Sequence, residues 1–174
     1  MTNDGARTML SRQFDTAWAL TQYHLDGLTT EECLWRPARA GLHVHRHEGG
    51  WRADWPEHEG YSLGPPSIAW VTWHMDFWWS MVLDHSFGNA TLRKEDVAWP
   101  GDVDAVRERL EGLATRWRAV LAQMSPEELL AAERTRWPIT GQPFGDVVAW
   151  VNVELTKNAA EIGYARFLYA VRDG

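Results

Sequence analysis

Along four long stretches of the chain, apolar residues recur at three- and four-residue steps, and between those stretches the pattern breaks. That period predicts four amphipathic helices packed on one another. The first covers 6–28, with Met9, Phe14, Ala17, Trp18, Leu20, Thr21 and Leu25 on one stripe and Gly27 where a C-cap is expected. The second covers about 67–87. Its sequence, SIAWVTWHMDFWWSMVLDHSFG, is apolar almost all round, so it is expected to be the most buried, with Ser67 as N-cap. The third, about 103–124, is capped by Asp102. It turns Val103, Val106, Leu110, Leu113, Trp117, Val120 and Leu121 inward and its arginines and glutamates to water. The fourth, Asp146 to Val171, carries Val147, Val151, Leu155, Ile162, Ala165, Leu168 and Tyr169 on its stripe.

The connections are read from turn chemistry. In LTTEECLWRP, Thr29 and Glu32 have the spacing of a capping box, and Pro37 stops the turn. Residues 38–66 show no helical period. The alternation in LHVHRH places His43, His45 and His47 on one side of an extended segment, and Gly49-Gly50 followed by WRADW predicts a small hairpin. Three alternating histidines are either a solvent-facing strand side or part of a metal site. Ser125, Pro126 and Glu128 start a short helix with a second capping box. Together these elements predict one all-α domain over 1–174, a four-helix bundle with long connections and a small hairpin insertion.

Composition narrows the function. At 174 residues and 45% apolar, with twelve Trp, the chain can bury a sizeable core. A net charge of −7 argues against non-specific nucleic-acid binding. The N-terminus has no apolar signal core, and no apolar run is long enough to span a membrane. A single cysteine, Cys33, excludes an internal disulfide framework and suits a reducing cytoplasm.

Candidate chemistry lies in two helices. Glu154, Asn158 and Glu161, at i, i+4 and i+7, project from one face of the last helix close to its apolar stripe. Polar groups turned towards a core need a partner. They hydrogen-bond neighbouring helices, hold a cation, or lie on a face more exposed than the stripe suggests. His74 lies in the middle of the second helix among Trp70, Trp73, Phe77 and Trp78. A lone histidine there is either a satisfied core residue or borders a pocket.

Three stretches, LTTEECLWRP, SIAWVTWHM and NVELTKNAAEIGYARFLY, together resemble the DinB-like superfamily over roughly residues 8–171. These helical bundles include YfiT-like proteins and the metal-binding domain of mycothiol-dependent maleylpyruvate isomerase. The resemblance implies a homodimer of four-helix bundles with a divalent metal, zinc or nickel, at one end of a pocket. It also implies, for some members, a thiol cosubstrate in a transferase or isomerase reaction on a small molecule. Carried over, the metal ligands are His74, Glu154 and Asn158. Asn158 falls where the family has a second histidine, and an amide oxygen is a poor ligand for zinc or nickel. Two further readings stand beside a metalloenzyme. One is a metal-free pocket around Trp70, Trp73, Trp78 and Trp150, with Glu154 and Asn158 fixing the polar end of a ligand. The other is a dimeric scaffold with a degenerate site.

Overall fold

The structure is a computed structural model that describes residues 3–58 and 60–173. In order it contains α1 (Asn3–Leu25), α2 (Thr30–Leu34), the strands β1 (Val44–His47) and β2 (Gly50–Ala53), α3 (Ile68–Phe87), α4 (Val103–Gln123), α5 (Pro126–Leu130) and α6 (Phe144–Ala170). The four long helices form the expected bundle. α6 packs against α1 and α3, and α4 closes the ring on the other side of both. α1 and α3 therefore lie across a diagonal, and the long segments after α1 and α4 cross the bundle to reach it. At the centre Trp79 meets Phe14 and Trp18 edge-on, with ring centroids 5.7 and 5.9 Å apart.

Helix starts follow the capping chemistry. Ser67 Oγ accepts from the Trp70 N–H at 3.3 Å and Asp102 from Ala105 at 2.9 Å. Ser125 and Glu128 exchange the two bonds of a capping box. Thr29 accepts from the Glu32 N–H at 3.1 Å, but Glu32 does not complete the expected box. Its carboxylate lies under α6 and takes the Arg166 Nε at 2.9 Å. Arg166 also donates to the carbonyls of His24 and Asp26, clamping the end of α1 to α6. A charge-assisted bond to a shielded carboxylate outweighs a cap that water can replace.

The hairpin is present, with Val44 opposite Ala53 and His47 opposite Gly50. Its turn is Glu48-Gly49, one residue earlier than expected, and Gly50 takes the positive φ of 122°. The three histidines do not share an environment. His47 is exposed and His45 half-buried, whereas His43 is only 4% exposed. The cause is docking on α3. His43 and Asp54 pair beyond the ladder, Ser67 N–H donates to Leu42 O at 3.0 Å, and Trp70 Nε1 donates to Asp54 O at 2.8 Å. Most indoles are buried or half-buried too. Trp55 is the exposed one, at 50%, and the exposed rings on α1 and α6 are Tyr23, Tyr164 and Phe167.

Candidate functional site

Along α3, Trp70, His74, Phe77 and Trp78 share one face by their spacing, and along α6 Trp150, Glu154, Asn158 and Glu161 share another. The two faces meet. Asn158 is fully buried. Its Oδ1 accepts from Trp78 Nε1 at 2.9 Å, and its Nδ2 donates to Glu161 Oε2 at 2.8 Å. Both ends of the amide are thus committed to protein partners.

His74 stacks on Trp70, centroids 4.9 Å apart and planes 9° from parallel, with Phe77 beside it. Burial pushes its pKa down to about 4, the nearby Lys157 charge adds to that, and donation from the charged ring to the Asn158 side chain opposes it. The imidazole is therefore neutral at pH 7 and a weak base. Its Nδ1 is buried without a partner.

Glu154 lies one turn before Asn158 on α6. Its side chain is 15% exposed, and Lys157 Nζ approaches its Oε2 to 2.6 Å. The contact is electrostatic, because Oε2 makes no directed hydrogen bond. The structure thus brings His74 and Asn158 together, and Lys157 links Glu154 to the same neighbourhood through its charge.

These residues do not fit a zinc or nickel centre. Such a centre takes three protein ligands drawn from imidazole, thiolate and carboxylate. Here there is one imidazole, one carboxylate already facing an ammonium, and one amide whose oxygen is held by an indole N–H. Among the described residues no three His, Cys, Asp or Glu side chains are grouped to hold a metal ion. His45 goes instead to Asp54, at 2.9 Å. Cys33 is fully buried, and burial raises its thiol to about 12, so it is not a nucleophile.

The aromatic wall departs from expectation as well. Trp78 meets Trp150, Trp150 meets Trp137, and Trp137 meets Phe77, all edge-on at 5.6 to 5.8 Å. These rings fill one another's space. A cavity of about 360 Å³ lies instead along Trp73, which stacks on Phe77. Trp51, Arg52, Trp55, Lys94, Glu95 and Val97 are among the other residues of its lining. Lys94 Nζ sits 4.3 Å from the Trp55 ring centroid. Sequence reasoning passed over Trp51, Trp55 and Lys94. The signal available was WRADW in the hairpin, but nothing in the sequence places residues 94–98 opposite it.

The sequence pattern of the DinB superfamily matches residues 13–162. The chain belongs to the DinB superfamily. No curated protein and no solved structure matches it. The matched span contains the hairpin as well as His74, Glu154 and Asn158, so the docked hairpin lies within the DinB-superfamily region of this chain. No helix among its described residues is long and apolar enough to cross a membrane.

Proposed function

We propose that this DinB-superfamily protein binds a small, flat, apolar molecule without a transition metal. The observation that carries the reading is the buried Asn158 amide, whose oxygen takes the Trp78 N–H and whose nitrogen donates to Glu161, where a transition-metal centre needs a third imidazole, thiolate or carboxylate. The Lys157 contact on Glu154 supports it, since an ammonium already neutralises the carboxylate. The seat is the cavity of about 360 Å³ beside Trp51, Trp55 and Trp73, within the range of small-molecule pockets. Indole faces take a flat ring by offset or edge contact, and Arg52 and Lys94 in the lining, the latter 3.8 Å from the Glu95 carboxylate, offer positive charge to an acidic substituent. The test is quenching of tryptophan fluorescence by naphthalene-2-carboxylate. Saturable quenching that is lost in Trp55→Ala supports the seat; the same quenching in both proteins contradicts it.

The metalloenzyme reading, with zinc or nickel and a thiol cosubstrate, keeps one observation on its side. His74 Nδ1 and Glu154 Oε2 are both buried without a directed hydrogen bond. Zinc titration separates the two readings. Assembly as a homodimer in a reducing cytoplasm belongs to the same proposal. Tyr23, Tyr164 and Phe167, 73, 65 and 74% exposed, are its support, and sedimentation over a range of concentrations is its test.

A further inference from the structure

The aromatic cavity joins segments that lie far apart in the chain. Trp51 and Trp55 come from β2 and the residues just after it, Trp73 from α3, and Lys94, Glu95 and Val97 from the connection between α3 and α4. That connection is held at two points. Asp96 takes the Arg93 backbone N–H at 2.9 Å and the Arg93 guanidinium at 3.2 and 3.3 Å. Trp73 Nε1 donates to Val97 O at 2.8 Å. Lys94 therefore starts from a fixed backbone, and its flexible four-carbon stem decides where its charge goes.

That charge rests on an indole. Lys94 Nζ lies over the Trp55 ring, 4.3 Å from its centroid. Trp55 is half exposed and meets Trp73 and Phe77 edge-on, with centroids 6.3 and 5.4 Å away. The ring and the ammonium line the same cavity, so the ammonium covers indole surface that a flat ligand there would use. Its second partner holds it weakly. Glu95 Oε1 is 3.8 Å away on a side chain 67% exposed, where water screens the attraction. Arg52 is the other cation of the lining, and strand alternation puts it on the face of β2 opposite Trp51. Lys94 is thus the cation seated on the aromatic wall.

We propose that Lys94 sets the ligand class of this cavity, selecting flat aromatic acids over their neutral counterparts. The selection rests on the aromatic seat and adds the residue that discriminates within it. A flat ring that slides onto Trp55 displaces the ammonium and ends its attraction to the ring face. A carboxylate on that ligand gives the ammonium a stronger partner in exchange, a charge-assisted hydrogen bond beside shielding indoles. A neutral ligand returns nothing for the lost contact, and a cationic one adds repulsion. Discrimination then comes from a reward for the acid and a penalty for the rest.

The experiment titrates the full chain, by tryptophan quenching at neutral pH, with naphthalene-2-carboxylate and with naphthalene-2-carboxamide, which has the same flat ring and no charge. The wild type is expected to bind the carboxylate about tenfold more tightly or better, the scale of one hydrogen bond to a charged group. Lys94→Met should abolish that preference from both sides, weakening the carboxylate while the carboxamide binds as tightly as before or more so. Lys94→Arg should keep the preference. A lysine that only braced the loop would, when replaced, weaken both probes together, and that result overturns the proposal. So does a wild type without the preference, or a Lys94→Met variant that retains it; in those cases the seat stands and the selection by Lys94 falls. If neither probe binds the wild type saturably, the seat itself fails and the proposal fails with it.

Discussion

Asn158 and His43 are both buried polar side chains, 0 and 4% exposed, the first packed on α3 from α6 and the second in the hairpin that docks at the start of α3. Their surroundings differ in one respect. Around Asn158 the bundle supplies a partner for each end of the amide, an indole N–H on one side and a carboxylate on the other. Around His43 it supplies none, and leaves two arginines, Arg36 and Arg46, without counter-charge at the rim of the adjoining cavity. A closed hydrogen-bond set within a helix pair is a packing device that fixes how α3 and α6 meet. An imidazole sealed under the hairpin without a partner is a cost that docking of the hairpin carries. At the position where family resemblance places a metal, Asn158 is of the first kind, while His74 Nδ1 and Glu154 Oε2 have no directed hydrogen bond. The position where the hairpin docks is of the second.

If the α3–α6 cluster is a packing device, breaking it should cost stability first. Trp78→Ala removes a fully buried ring that stacks on Trp79 at 5.5 Å and strips Asn158 of its donor. A loss of about 3–5 kcal/mol in urea unfolding is expected. A change under about 1 kcal/mol would mean the indole is not held there.

Acid should act on the same cluster at a slightly smaller scale. The folded pKa of His74 is about 4, lowered chiefly by burial, against 6.5 for the free side chain. Between those values the unfolded chain holds more protons, so stability falls as pH drops from 6.5 towards 4 and levels off below. The size is about 3 kcal/mol at full development. Comparing wild type with His74→Leu isolates this part from the carboxylates. The variant should lack it, and parallel pH profiles would contradict the burial of His74.

The hairpin edge should behave in the opposite way. The double substitution Arg36→Gln with Arg46→Gln breaks no partner, so unfolding free energy should change by less than about 0.5 kcal/mol. A large loss would show that these arginines hold the fold and would erase the contrast between the two regions.

The bundle was legible because its signals are local. Helical period marked the four long helices, and Ser67, Asp102 and Ser125 each cap where their side chains can reach the third N–H. Glu32 was misread as a capping residue because its true partner, Arg166, lies on the last helix, far away in sequence. The inward face of α6 was read correctly as polar, but its meaning was not. Periodicity places Glu154 and Asn158 on one face; it does not reveal that Lys157 faces one and Trp78 holds the other. His43, His45 and His47 alternate in sequence, yet docking of the hairpin base on Ser67 and Trp70 separates them. The cavity beside Trp55 depends on a loop meeting a hairpin, a pairing no local pattern encodes.

The central claim is that two of the residues at the family's metal position are already taken, the Asn158 amide by Trp78 and Glu161 and the Glu154 carboxylate by the Lys157 ammonium. Zinc titration followed by thermal unfolding tests it most directly, on the wild type and on Lys157→Met with Asn158→His. A ligand a hundredfold above its dissociation constant stabilises a fold by about 2.7 kcal/mol, roughly 5–10 °C for a chain of this size. The account predicts no zinc-dependent shift in the wild type. It predicts an upward shift in the double variant, where a third imidazole or carboxylate donor exists and the competing ammonium is gone. An upward shift of that size in the wild type, abolished by His74→Ala, would contradict it.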